Sequence, residues 1–138
     1  MPARGYNPGV VSLRKLYTPH EANRTLPLVR AITKDIRDIA LRMRATWDRL
    51  QHLGAGRPTE RAQIEDAFED DRQRLLAMNE ELEQLGVELK DPVTGLLDFR
   101  AERGGEEVYL CWRLGEDCID HWHELETGFA GRQPLTTF

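Results

Sequence analysis

Apolar residues recur at alternating steps of three and four through Val29, Ile32, Ile36, Ile39, Met43, Leu50 and Leu53, with Thr46 in the one polar slot. This spacing predicts a long amphipathic helix. Upstream, Thr18, Pro19 and Glu21 form a capping box with proline in the first turn, so a helix should begin there. Pro27 is expected to interrupt it, the helix restarting with that proline in its first turn. Gly54, Gly56 and Pro58 end the segment and Thr59 is the candidate new cap. Ile64, Phe68, Asp71, Leu75, Met78, Leu82 and Leu85 then repeat the same steps up to Gly86.

Folding the chain back at the Gly-Pro loop pairs Leu50 with Ile64, Thr46 with Phe68, Ile39 with Leu75, Ile36 with Met78, Ile32 with Leu82 and Val29 with Leu85. The result is a long antiparallel helical hairpin of coiled-coil character, roughly 30 Å in length. One layer sets Met43 against Asp71. That carboxylate is either met by Arg42 or Arg44 or turned outward by drift from strict heptad spacing, and the drift favours turning outward.

Past Gly86 the period changes to two. Val87 and Leu89, then Leu97, Phe99 and Ala101, then Val108, Leu110, Trp112 and Leu114 alternate with polar residues. Residues 91–95 form a turn, and Gly104-Gly105 is a two-residue hairpin turn. A three-stranded antiparallel sheet is expected, with a weak fourth candidate at residues 13–17. The tight turn sets Ala101 opposite Val108, Phe99 opposite Leu110 and Leu97 opposite Trp112 on a core face. It also sets Arg100 opposite Tyr109, Asp98 opposite Cys111 and Leu96 opposite Arg113 on the other face. Antiparallel sheets commonly leave one face wet, so a solvated polar face is the plain expectation. Glu116-Asp117 suits the start of a short C-terminal helix carrying Cys118, Ile119, Trp122, Leu125 and Phe129 on one side, ended by Gly128 or Gly131. The fold class is therefore α+β. The single domain of residues 1–138 divides into an N-terminal arm (1–17), the hairpin (19–85), and the sheet with its C-terminal helix (87–138).

A chain of 138 residues, 40% of them apolar, is the size of one domain with one core. No apolar run near the N-terminus suits a signal peptide or membrane span, and a cytoplasmic protein is expected. Cys111 and Cys118 then read as two small semi-buried thiols, any disulfide between them being transient in a reducing compartment. The net charge of -5 is unevenly spread: residues 19–53 hold seven Lys or Arg against four Asp or Glu, and residues 59–85 hold three against nine. If those segments pack together their charges answer each other, which leaves little positive field for nucleic acid.

Candidate chemistry gathers between Val108 and Leu135. Side chains two apart on a helix diverge by about 160°, so His121 and His123 share a metal only if their segment is extended. Asp117, His121 and Glu124, or Asp120, His123, Glu124 and Thr127, could supply carboxylates and an imidazole for a divalent metal or for acid–base work. Most such helix-surface clusters are solvated charges. His123, Glu124, Arg132, Arg113, Cys111, Asp98 and Tyr109 are the candidate ligand-binding residues, and His123, Glu124 and Asp120 the candidate metal ligands. Arg132 is expected to return on the Gly131 bend to pair with Glu124 or with a bound anion, while Trp122 and Phe129 point into the core.

At Tyr17-Thr-Pro-His-Glu-Ala-Asn23, Leu26-Pro-Leu28, Gly86-Val-Glu-Leu-Lys-Asp91, Gly95-Leu-Leu-Asp-Phe99, Val108-Tyr-Leu-Cys-Trp-Arg-Leu-Gly-Glu116, Trp122-His-Glu124 and Gly128-Phe-Ala-Gly-Arg-Gln-Pro-Leu135 the chain resembles the bacterial family catalogued as domain of unknown function 2203. The resemblance spans nearly the full length. It implies a small prokaryotic protein with emphasis on Trp122, His123, Glu124, Phe129 and Arg132, and it carries no activity, so whether the protein is an enzyme stays open.

Two function classes remain. The first is a non-catalytic binding or assembly module without a cofactor, a homodimer or larger in which association hides Leu41, Leu53 and Leu76 and the sheet presents a surface to a small anion or a protein partner. The second is a metal-binding protein or metal-dependent enzyme using His123 and Glu124, with Arg132 as anion-binding group. The first is preferred.

Overall fold

The computed structural model describes residues 15–138. Helix α1 spans Pro19–His52 and helix α2 spans Pro58–Gln84. Thr18 begins α1 as its sequence requires, its hydroxyl accepting from the Glu21 amide while the Glu21 carboxylate accepts from the Thr18 amide. The expected break at Pro27 does not occur, and α1 runs through it unbroken for 34 residues. A proline removes one intrahelical hydrogen bond. Here Ala22, Leu26 and Val29 are buried in the core on either side of it, so tertiary packing carries the helix across the gap. The start of α2 also falls earlier than expected, with Pro58 in its first turn and Arg57, not Thr59, at the cap position.

The helices pack as an antiparallel hairpin: Arg61 reaches the Leu50 carbonyl near the loop, Trp47 meets Phe68 farther along, and Arg42 meets Asp71 beyond that. Asp71 is not turned outward. Arg42 grips both its oxygens at 2.9 and 2.7 Å, and the residue is only 6% exposed. A bidentate guanidinium satisfies the carboxylate inside the layer more completely than rotation would.

Strands β1 (Val87–Asp91), β2 (Leu96–Arg103), β3 (Glu106–Arg113), β4 (His121–Glu124) and β5 (Gln133–Pro134) form one antiparallel sheet in sequence order. The β2–β3 register is the one that the Gly104-Gly105 turn predicts, from Leu96 opposite Arg113 to Ala101 opposite Val108. Gly95 closes the preceding turn at φ +71°, where a Cβ would lie 2.6 Å from that of Leu114, so only glycine fits.

The sheet has five strands instead of three because the expected C-terminal helix is absent. Residues 121–124 are a strand paired with β3, and the chain ends in 3₁₀ turns at Phe129–Gly131 and Leu135–Thr137. Ile119 and Trp122 are buried as that helix would require, but Leu125 and Phe129 are 47% and 37% exposed, so the apolar stripe stops short. Without β4, β3 would be left with an unpaired edge. Of the fourth-strand candidate at residues 13–17, Leu13 and Arg14 lie outside the described residues, as does most of the N-terminal arm. The Tyr17 amide donates to the Arg100 carbonyl at 2.7 Å without forming a strand.

The core lies between one face of the sheet and the nearer half of the hairpin. Ala22, Leu26, Val29 and Ile36 of α1 and Leu82 of α2 meet Leu97, Phe99, Ala101, Leu110, Trp112 and Trp122. Ile39, Leu50 and Ile64 are buried outside that cluster, so the far half of the hairpin projects as a two-helix arm. No described helix is long and apolar enough to cross a membrane.

Candidate functional site

The opposite face of the sheet is polar, and its order follows from the register. Glu88 stands opposite Asp98, Asp98 opposite Cys111 and Cys111 opposite His121, while Arg100, Tyr109 and His123 make the neighbouring row. Directly opposed residues in an antiparallel ladder share a face with Cβ atoms about 4.5–5.5 Å apart. This face is not solvated as expected: Asp98, Cys111 and His123 are 4%, 0% and 2% exposed.

The cover is the segment leaving β4. Residues 125–132 fold back over the face, turning at Gly128 with φ +63°. Its Arg132 hydrogen-bonds Glu116 and His121 and places a guanidinium nitrogen 4.0 Å from the Cys111 sulfur. Phe129 stands between Arg113 and Arg132, whose guanidinium carbons lie 5.1 and 4.6 Å from its ring centre. Beneath this strap a cleft of about 320 Å³ is lined by Lys90, Leu96, Asp98, Tyr109 and His123 and by residues 125–129.

The hydrogen bonds of His123 constrain its proton. Nδ1 lies 2.7 Å from the Glu124 carbonyl oxygen, which can only accept, so Nδ1 carries hydrogen. Nε2 is thereby aimed at Asp98 Oδ1, 3.0 Å away and within hydrogen-bond reach. Burial raises the Asp98 carboxyl above its ordinary range, outweighing the opposing pull of His123 and Lys90. Burial, with Asp98 adding to it, pushes the Cys111 thiol up to about 12. Ligand atoms of Asp98, Cys111 and His123 all lie within 4.8 Å of one another.

Around this trio the face is held by charge. Burial works to raise Glu88, but hydrogen bonds from Lys90, Arg100 and Tyr109 hold it below the usual carboxylate range. The Tyr109 hydroxyl donates to Glu88 at 3.0 Å, and its ring lies 5.5 Å from that of His123.

Of the residues singled out in the sequence, the structure thus gathers Asp98, Tyr109, Cys111 and His123, with Arg132 and Arg113 on the strap side. Glu124 and Asp120 do not join them. The alternation along β4 sends the Glu124 side chain to the opposite face from His123, leaving only its carbonyl in the site, and Asp120 lies 2.6 Å from His121 Nδ1. Arg132 pairs with Glu116 instead of Glu124, and Phe129 sits on the strap instead of in the core. Glu88, Lys90 and Glu116 belong to the site as well, although the sequence marks none of them as a site residue. Counting the β1–β2 register outward from the 91–95 turn sets Leu89, not Glu88, opposite Asp98; an irregularity between Leu89 and Asp91 shifts the pairing by one and brings Glu88 there.

Residues 15–135 match the family described as an uncharacterized conserved protein, DUF2203, and the chain belongs to it. No curated protein and no solved structure matches the chain.

Proposed function

We propose that this protein is a non-catalytic binding module whose ligand site is the strapped polar face around His123. One observation carries the reading: Asp98 and His123 are almost wholly buried beside the Cys111 thiol on a sheet face that an apolar set would close more cheaply. Buried polar groups at the base of a cleft are the ordinary signature of a binding site. A thermal-shift comparison tests it with zinc chloride, cobalt chloride, inorganic phosphate and acetate as probes. At least one should raise the melting temperature of the wild type and have no effect on folded His123→Gln. No shift from any probe, or a shift that His123→Gln retains, would overturn the reading.

A second element is self-assembly, supported by the projecting arm, which leaves Trp47 52%, Leu76 47% and Leu41 37% exposed, with Leu53 half-buried. A second copy is the fitting occupant because the basic α1 of one chain can lie along the acidic α2 of another. Light scattering at tens of micromolar should give at least twice the 15.9 kDa chain mass. Trp47→Glu should return it to the mass of one chain, and a monomeric wild type would remove the proposal.

A further inference from the structure

We infer that Asp98 Oδ1, Cys111 Sγ and His123 Nε2 form a three-residue site for one divalent transition-metal ion of the zinc class, with its remaining position open to the cleft under the strap. The inference deepens the reading of the strapped face as a binding site and rests on it.

Three independent features support it. The first is convergence: the ligand atoms come from three different strands and lie within 4.8 Å of one another, Asp98 and His123 already 3.0 Å apart. Tetrahedral bonds of about 2.0 Å to nitrogen or oxygen and 2.3 Å to sulfur require ligand separations of about 3.3–3.5 Å for one sulfur and two N/O ligands. The Asp98–His123 contact would open slightly, and the other separations, none above 4.8 Å, would close by at most about 1.3 Å. Small rotations of side chains on a rigid ladder suffice for both.

The second feature is orientation. A metal-bound imidazole characteristically donates its other ring N–H to a carbonyl or carboxylate, which fixes the ring and directs the free lone pair. His123 makes that bond, from Nδ1 to the Glu124 carbonyl at 2.7 Å, and its Nε2 faces the other two ligand atoms. The third feature is donor chemistry. One thiolate, one imidazole and one carboxylate suit borderline cations such as Zn²⁺ or Co²⁺, whereas Mg²⁺ and Ca²⁺ call for oxygen alone. A divalent ion would be balanced by the Cys111 and Asp98 anions, giving a neutral centre where two uncompensated charges would be costly.

Three protein ligands with one position left over is the arrangement of zinc sites that bind an exchangeable group. Asp98 and His123 both line the cleft, so that position is reached from there, with Lys90 and Tyr109 at its wall. Cys118, the other thiol, is exposed and outside the trio.

Cobalt(II) titration of the chelator-treated full chain tests the site. One equivalent per chain should bind and produce thiolate-to-cobalt charge-transfer absorption with tetrahedral ligand-field bands. Cys118→Ser should keep the spectrum, Cys111→Ser should lose the charge-transfer band, and Asp98→Asn should weaken binding by about a hundredfold or more. Three outcomes would overturn the inference: no binding at micromolar cobalt, binding without the thiolate band, or a band that survives in Cys111→Ser. A failure of cobalt while phosphate or acetate still shifts the wild type and not His123→Gln would remove the metal and keep the binding face. Should no probe produce a shift, both would fall.

Discussion

At their centres the two faces of the sheet are closed from water to nearly the same degree by opposite means, although the margins of the strap-side face stay partly exposed. Toward the helices, Leu97, Phe99, Leu110 and Trp112 are fully buried among apolar neighbours. Toward the strap, Asp98, Cys111 and His123 are nearly as deep but held by hydrogen bonds and charge. Apolar packing tolerates imperfect partners at a graded cost, whereas a buried polar group is either matched or strongly destabilising. The first face therefore accounts for most of the drive to fold, and the second restricts which residues the molecule can accept there.

The largest expected effect tests the helix-facing side. Trp112→Ala empties the centre of the core and frees the Glu116 carbonyl that the indole N–H now reaches at 3.0 Å. A loss of about 3–5 kcal/mol is expected, enough to unfold much of a marginal domain. Denaturant melts would measure it, and a loss below about 1 kcal/mol would mean that the core lies elsewhere.

On the strap side, Asp98→Ala leaves His123 Nε2 buried with no partner and should cost about 1–3 kcal/mol. Asp98→Asn, whose amide can still donate to Nε2, should recover most of that stability. If alanine and asparagine are equally mild, the polar face is wetter than its burial indicates and the contrast between the faces collapses.

How much of this contrast could be read in the sequence depends on how local the deciding interactions are. The two long antiparallel helices follow from three-four spacing, and the sharing of one polar face by Asp98, Cys111 and Tyr109 follows from a two-residue glycine turn. Both are settled within a few tens of residues. The sequence marks His123 as a site residue but reads as a helix around it, because Ile119 and Trp122 are three apart and four strand residues are too few to display period two. Only pairing with β3 makes that segment a strand, and the pairing carries His123 to Asp98 and Cys111 while turning the Glu124 side chain away. The strap was equally hidden, because Arg132 finds Glu116 through tertiary folding and not through spacing. Likewise the fate of Asp71 depended on the conformation of Arg42, which the heptad pattern does not specify.

A smaller effect sharpens the role of the strap. In the native protein a thiol reagent should modify exposed Cys118 quickly and buried Cys111 only on opening, so one thiol reacts promptly and the second on unfolding. Arg132→Met removes the bond to Glu116 and should speed Cys111 labelling about tenfold, the factor given by roughly 1.4 kcal/mol of lost closure. The guanidinium also favours the Cys111 thiolate, so its removal acts on reactivity in the other direction. Faster labelling would show that cover dominates, and slower labelling would show that charge does.

The smallest effect compares carboxylates in two polar settings through pH. Hydrogen bonds from Arg42 hold Asp71 below its ordinary value of 3.8, so its contribution to stability is complete above that pH and fades as pH falls through the lowered one. Burial raises Asp98 above the same value, so its linkage has the opposite sign: the folded state holds that proton more tightly, and stability declines as pH rises from 3.8 through the raised value. Asp71→Asn should therefore flatten the acid side of the stability–pH curve, and Asp98→Asn the side above pH 3.8. The Asp71 change should stay below about 1 kcal/mol, because Arg42 is half exposed and water screens the pair. Chemical melts of both variants between about pH 2 and 7 would check the signs. If both shift the curve in the same direction, Asp98 is held as an ion like Asp71, and the distinction between a strapped polar face and an ordinary ion pair disappears.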